Sequence, residues 1–285
     1  VASIAQLLAR SNQLSATSDS ARRDVELLLC HVLAKSGGYL RAWPEAEVSG
    51  EQLLQFEQLL QRRMGGEPIA YIIGLQGFWS LDLAVSPATL IPRPETELLV
   101  EYLLQHYPAE GALRVLDLGT GTGAIALALA SERPQWQLLG IDSEPAAVAL
   151  AQYNHQHSLS AANNIRFLQS DWFTALAPQL FDIIVSNPPY IDRDDPHLAA
   201  GDVRFEPRSA LVASRQGLAA FEVIIEQASG FLRPGGMLLF EHGCEQGQAL
   251  RQLLQGGGYE EVFTEQDLAG LDRISGGVHV GRSGQ

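Results

Sequence analysis

Apolar residues in the first 75 positions recur at helical spacing. Between Arg22 and Lys35, residues Val25, Leu28, Leu29, Val32 and Leu33 fall at i, i+3, i+4, i+7 and i+8, which paints one stripe along a helix. The stripe returns between Ser49 and Met64 through Leu53, Leu54, Phe56, Leu59 and Leu60. Ser49 and Gln52 have the spacing of a capping box at its start, and Gly65-Gly66 supplies the stop. No alternating β-branched run interrupts this stretch, so it reads as a small all-α helical bundle. Between Gly74 and Pro94 the pattern turns aromatic and β-branched: Phe78, Trp79, Leu81, Leu83 and Val85, with the turn pair Ser86-Pro87, predict a short hairpin. The run Ile91-Pro92-Arg93-Pro94-Glu95-Thr96-Glu97 then opens a helix. Pro94 suits the first helical position and the acidic residues suit the positive end of the helix dipole. Leu98, Leu99, Tyr102 and Leu103 form its expected buried face.

After Gly111 the rhythm changes again, to short apolar strands alternating with amphipathic helices. Strands are expected at 115–118, 138–141, 165–168, 183–185 and 237–240, and helices at 124–131, 145–157, 218–232 and 246–255. Such alternation builds a mostly parallel, doubly wound α/β sheet. Late strands at 259–264 and 278–281 bring the sheet to seven. The chain therefore divides into an N-terminal helical domain (1–74), a β-hairpin linker (75–93) and an α/β domain (94–285).

Composition narrows the setting. Apolar residues make up 46% and charged residues 18% of the 285, enough for two hydrophobic cores. No apolar run reaches the roughly 18 residues of a membrane span, and no leader pattern opens the chain. Cys30 and Cys244 lie far apart. These features point to a soluble protein of the reducing cytoplasm without a membrane partner. The net charge of −14 is concentrated beyond residue 75, where 12 basic side chains face 25 acidic ones, and Lys35 is the only lysine. Nucleic-acid binding draws on clustered cations, so a direct nucleic-acid partner is disfavoured. The seven histidines, His155, His157 and His197 among them, lack carboxylates at metal-ligand spacing, and no metal is expected.

Candidate chemistry gathers at the ends of the predicted strands. Val115-Leu116-Asp117-Leu118 runs into Gly119-Thr120-Gly121-Thr122-Gly123 and then into a helix. Glycines there let the backbone approach a ligand, and the helix end offers free N–H groups. The turn fits a nucleotide-like cofactor but by itself leaves a dinucleotide open, because Gly119, Gly121 and Ala124 also satisfy that fingerprint. Asp142, about 20 residues on, ends the next strand, where it could accept two ribose hydroxyls or cap the helix that Pro145 opens. Asp171 and Trp172 follow the third strand, suited to an adenine amino group and ring or to a turn and a core. Ser186-Asn187-Pro188-Pro189-Tyr190 follows the fourth and is the most specific signal. Two prolines hold the backbone extended and remove two donors, leaving carbonyls. The Asn187 side-chain oxygen and the Pro188 carbonyl could then each accept one proton of a planar NH2 group, with Tyr190 against its flat face.

A glycine turn of this type followed by Asn-Pro-Pro-Tyr resembles S-adenosylmethionine-dependent methyltransferases that act on a planar NH2 nitrogen. The signature is shared by adenine and guanine N-methyltransferases of nucleic acids and by release-factor glutamine methyltransferases. The segment 91–97, the preceding Phe78-Trp79 and Val85–Leu90 segments, Val203-Arg-Phe-Glu-Pro-Arg208, Glu67–Tyr71 and Asp267–Asp272 are similar to the release-factor family, also called PrmC or HemK. That resemblance implies a Rossmann-like class I methyltransferase domain. It implies transfer from S-adenosyl-L-methionine to the amide nitrogen of the glutamine in the Gly-Gly-Gln loop of bacterial class 1 peptide chain release factors, with S-adenosyl-L-homocysteine as product. By position, Gly119, Thr120, Gly121, Thr122, Gly123, Asp142, Asp171 and Trp172 would hold the cofactor, and Asn187, Pro188, Pro189 and Tyr190 the glutamine. Asn187 would touch both. The helical domain would dock the release factor, with Arg22, Arg23, Arg62 and Arg63 on faces expected to be solvated.

Overall fold

The helical stripes of the first 75 residues meet in a single core. Its elements are β1 (Ala2–Ser3), α1 (Ile4–Leu8), α2 (Ala21–Leu33), α3 (Gly37–Ala42), β2 (Glu47–Val48), α4 (Gly50–Met64) and α5 (Ile69–Ile73). Val25, Leu28 and Leu29 of α2 are buried in one cluster with Phe56 and Leu60 of α4. The capping box forms as expected: the Gln52 amide donates to Ser49 Oγ at 3.2 Å, and the Ser49 amide donates to Gln52 Oε1 at 3.3 Å. One feature is added to the all-helical expectation. β1 and β2 pair antiparallel over two residues each, too short a ladder to leave a periodic pattern. Arg63 also departs from its expected place on a solvated face. It is 5% exposed and donates to Asp24 Oδ2 at 2.6 Å, to the Glu67 carbonyl at 2.9 Å and to Asp202 Oδ1 at 3.1 Å. Its stripe neighbours gave no hint of this, because the partner Asp24 lies on another helix.

The computed structural model describes residues 2–281. They divide into two compact units, the chain up to Leu75 together with Pro196–Phe205, and Gln76–Asp195 together with the chain from Glu206 onward. Asp202 thus belongs with the helical unit, and Arg63 ties it there.

β3 (Leu75–Phe78) leads into the second unit, which contains β4 (Leu81–Ala84), α6 (Glu97–His106), β5 (Arg114–Leu118), α7 (Ala124–Glu132), β6 (Gln137–Asp142), α8 (Pro145–Ser158) and β7 (Ile165–Gln169). There follow β8 (Phe181–Ser186), β9 (Ile191–Asp192), α9 (Arg208–Leu211), β10 (Val212–Ala213), α10 (Ala219–Ala228), β11 (Leu232–Glu241), α11 (Gly247–Gly256), β12 (Tyr259–Gln266) and β13 (Asp272–His279). The seven-stranded sheet has the order β12-β13-β11-β8-β5-β6-β7. Only β13 runs against the other six strands, pairing antiparallel with both β11 and β12. Side chains alternate between its two faces. Val115, Ile183, Val185 and Leu239 pack with α6 and α7 on one face, and Leu116, Ile184, Leu238 and Phe240 pack with α10 and α11 on the other. Both faces are covered, as a parallel sheet requires.

Three details differ from the sequence expectation. The hairpin reverses at Trp79-Ser80, where Trp79 takes φ +56°, while Ser86-Pro87 makes a separate turn closed by the Thr89 amide on the Ser86 carbonyl. Phe78 and Leu83 of that hairpin are buried in the core shared with α6 and α7. The helix expected to reach Leu232 stops at Ala228, because a turn at Ser229-Gly230 precedes β11. The last strand begins at Asp272 and ends at His279; its Ser275-Gly276-Gly277 stretch carries no apolar alternation, so the sequence hides it. Residues 282–285 of the expected C-terminal domain lie outside the described residues.

Asn154 holds α8 to the rest. Its Nδ2 donates to the carbonyls of Ala84 at 3.0 Å and Thr122 at 2.9 Å, and its Oδ1 accepts from the Ala84 amide at 2.8 Å. The residue is 1% exposed, so Asn154→Ala leaves three buried backbone groups unpaired. Chemical denaturation should register a loss on the order of 3 kcal/mol. A change within experimental error would show that water replaces the amide.

Candidate active site

The order of the strands decides where ligands can enter. From β5 the chain moves outward to β6 and β7, then returns to β8 on the opposite side of β5. The loops leaving β5 and β8 diverge, and the crevice at such a switch point is where open α/β sheets bind ligands. Leu118 and Ser186 are register partners, so Gly119 and Asn187 are the next residues on adjacent strands. The Ser186 hydroxyl, fully buried, donates to the Leu118 carbonyl at 2.8 Å and fixes the two ends side by side.

The glycine turn uses its residues for different reasons. Gly119 has φ +70°, and a Cβ added to it would meet no atom within 4 Å. It faces open space, and backbone conformation alone demands glycine there. Gly123 has φ +84°, and its Cβ would stand 3.1 Å from both Leu127 and Phe167 and 3.2 Å from Ala151, so close packing of α7 demands it as well. The turn is held by the Thr120 amide on the Ile141 carbonyl at 2.8 Å and by the Gly121 amide on Asp142 Oδ2 at 2.9 Å. Asp142 Oδ1 accepts from the Glu144 amide at 3.0 Å. Asp142 thus ties the glycine turn to the loop before α8, whose N-cap is Glu144, while also lining the crevice. Burial pushes its carboxyl up from the ordinary value, opposed by these backbone donors.

A cavity of about 260 Å³ opens over the turn. Gly119, Thr120, Gly121, Thr122, Asp142, Asp171, Trp172 and Asn187 all line it, as does Pro189. Gly123, Pro188 and Tyr190 do not. The sequence expects Tyr190 against the flat face of a bound group; its side chain is half-buried, packs against the core cluster of Leu238 and Phe240, and donates its hydroxyl proton to Glu241 Oε1 at 3.1 Å. Trp172 adopts φ +46°, with the Ser170 hydroxyl donating to its carbonyl at 2.6 Å.

Three residues in or beside the site carry no site role in the sequence reading, Glu241 with His242 being read there as structural. Thr96 lines the cavity, is 5% exposed, and accepts from Asn187 Nδ2 at 3.2 Å. Glu241 ends β11, one residue beyond the Phe240–Ser186 register pair, and its carboxyl is 1% exposed. Its position at the carboxyl edge was the available signal. Burial raises its pKa, opposed by the Tyr190 hydroxyl that donates to Oε1, and Oε2 has no hydrogen-bond partner. Asp117 is 1% exposed and accepts from the Thr120 hydroxyl at 2.6 Å. The segment before Thr96 is tied down too: the buried Glu206 accepts from the Ile91 amide at 3.2 Å and pairs with Arg93.

Family comparisons bear on this site. Residues 6–74 match the PrmC N-terminal domain and residues 94–205 the Methyltransferase small domain. The chain is 55% identical over 266 residues to the release factor glutamine methyltransferase of Salmonella typhimurium, covering 93% of this chain and 95% of that protein. It is 52% identical over 281 residues to that of Aliivibrio fischeri, covering 98% of each. The chain belongs to the release factor glutamine methyltransferase family. Its fold is that of a class I methyltransferase: a methyltransferase from Pyrococcus furiosus superposes with a TM-score of 0.53 at 18% identity, over 79% of this chain and 99% of that one. Among the described residues no group of three or more His, Cys, Asp or Glu is placed to hold a metal ion. Among them, too, no helix is long and apolar enough to cross a membrane.

Asp117 makes a pH-dependent prediction. Burial raises its pKa from 3.8 to about 7, outweighing the Thr120 hydrogen bond. Between those values the folded chain keeps a proton that the unfolded chain has lost. This group therefore costs stability progressively as the pH rises through that window. The melting temperature of Asp117→Asn relative to the parent should climb from pH 4 to pH 7 and level off above. Parallel curves would refute the assignment.

Proposed function

We propose that this chain methylates the side-chain amide nitrogen (N5) of the glutamine in the Gly-Gly-Gln motif of bacterial class 1 peptide chain release factors, in the cytoplasm. The reading takes S-adenosyl-L-methionine as methyl donor and S-adenosyl-L-homocysteine as product, without a metal. The supporting observation is the β5–β8 register, which sets the glycine turn and Asn187 next to each other over one cavity.

The residues fit a nucleoside sulfonium. Gly119 leaves space above the turn, Asp142 and Asp171 present carboxylates to hydroxyl and amino groups, and Trp172 offers an aromatic wall. When bound, the sulfonium supplies an electrophilic methyl carbon. An amide nitrogen is a poor nucleophile because its lone pair is delocalised. Asn187 Oδ1 and the Pro188 carbonyl would each accept a hydrogen bond from one of its two N–H groups, holding the nitrogen face-on and raising its electron density. Transfer of the methyl group would exchange the donor's C–S bond for a C–N bond, and the amide nitrogen would release one of its protons to water. Residues 1–74 serve as the release-factor docking domain, 75–93 as the hairpin linker and 94–285 as the catalytic domain.

Incubation with methyl-labelled S-adenosylmethionine and a bacterial release factor tests the reading. Label should enter the release factor and should be lost when its motif glutamine is changed to alanine. Label in any other residue overturns the assignment. Asn187→Ala should lower turnover by roughly 10²–10³-fold with cofactor affinity, read by calorimetry, changed only a few-fold. Undiminished turnover would remove Asn187 from its role.

A further inference from the structure

The Asn187–Tyr190 tetrapeptide is hard to hold by its own backbone. Pro188 and Pro189 carry no N–H, so at these two positions the main chain can be gripped only through its carbonyls. Upstream, the Ser186 hydroxyl on the Leu118 carbonyl fixes the chain. Downstream, β9 pairs with β10 over only two residues, Ile191 with Val212 and Asp192 with Ala213. The half-buried side chain of Gln246 extends that short ladder. Its Nε2 donates to the Tyr190 carbonyl at 3.0 Å and to the Gln216 carbonyl at 3.3 Å, and its Oε1 accepts from the Gly243 amide at 2.9 Å. These partners fix which end of the side chain is nitrogen, because backbone carbonyls only accept and a backbone amide only donates.

Three further segments converge on this amide, and each is held independently. Gly243 follows the end of β11, where the His242 amide donates to the Arg273 carbonyl at 2.9 Å. Gln246 opens α11, whose next residue, Gly247, is packed so closely that a Cβ there would stand 2.7 Å from Asp272 Oδ2. Gln216 lies in a left-handed turn, with φ of +56°, +56° and +81° at Arg215, Gln216 and Gly217. L side chains disfavour that conformation, so a run of it persists only where the surroundings impose it. Here the imposing neighbour is the tetrapeptide. A Cβ on Gly217 would lie 2.0 Å from the Tyr190 carbonyl oxygen and 2.7 Å from Gln246 Nε2, so only bare backbone fits. The Leu218 amide on the Arg215 carbonyl at 3.1 Å closes the turn, and Arg215 pairs with Glu222 of α10. We propose that Gln246 is a positioning residue: with the turn Arg215–Gly217 it seats the Tyr190 carbonyl, and so fixes the backbone that presents the Pro188 carbonyl to the carboxamide being methylated. This deepens the reading of the site given above and rests on it.

Gln246→Met and Gln246→Glu test this. Methionine keeps the length of the side chain and removes both hydrogen-bonding ends. Glutamate keeps the acceptor for Gly243 but sets a second oxygen against two carbonyls. Assayed well below its own melting temperature, each variant should lose about ten- to a hundredfold in kcat, with KM for the release factor and cofactor affinity changed less than about threefold. Parental kcat in either variant overturns the proposal, and a loss of cofactor affinity matching the loss in kcat assigns Gln246 to packing of the crevice instead. The contact itself is read without turnover. Protein labelled with ¹³C-carbonyl tyrosine and ¹⁵N-isoleucine gives correlated signals only at Tyr71-Ile72 and Tyr190-Ile191, the two Tyr-Ile pairs of the chain. Gln246→Met should shift the Tyr190 carbonyl and leave that of Tyr71 in place; an unmoved Tyr190 signal overturns the anchor. Should both variants fail to fold, hydrogen exchange of the Gln246 side-chain amide in the unaltered protein decides. Both Nε2 protons are expected to be slowed, and free exchange overturns the contact. The unaltered protein keeps the two claims apart: if it labels the motif glutamine while Gln246→Met runs at the parental rate, the proposed function stands and only the anchor falls. If it labels nothing, both fall.

Discussion

Pairing of β5 with β8 is the constraint from which the crevice follows. Because the chain doubles back across β5, no helix can occupy the gap above these two strand ends, and whatever follows each strand must face the same space. One register step either way would carry Asn187 to the other face of the sheet or away from the glycine turn, since side chains alternate with period two. The Ser186 hydroxyl on the Leu118 carbonyl makes that slip costly by giving a buried donor its only partner within the local frame.

Around this fixed pair the structure spends polar groups that an ordinary core would exclude. Asp117, Ser186, Glu241 and His242 are all at most 1% exposed, and they cluster at the carboxyl edge of the central strands. Such groups are tolerated where the surrounding sheet already determines their geometry, and they restrict that geometry further. The same edge supplies both the floor of the cavity and the wall that carries Asn187, so rigidity of the fold and alignment of the site share the same hydrogen bonds.

Much of this was legible in the chain. The helical stripes, the capping box at Ser49, the strand–turn–helix at Gly119 and the tetrapeptide at Asn187 are local patterns, and local patterns survive in one dimension. What escaped is relational. Arg63 looked like one more solvated arginine until Asp24 and Asp202 arrived from distant positions. Thr96 sits unremarked inside a proline-rich run because its significance depends on Asn187, 91 residues later. The final strand was underestimated because Gly276 and Gly277 have no side chains to announce burial, although the sheet encloses them on both sides. The bond from the Tyr190 hydroxyl to Glu241 is likewise hidden, since the two residues follow different strands and lie 51 positions apart.

The short excursion Pro196–Phe205 leaves the sheet-bearing unit, joins the helical one, and is fastened there through Asp202. In genetic terms the front unit is therefore not a cassette. No single cut separates the two, so any exchange of the helical unit has to carry residues 196–205 along with it.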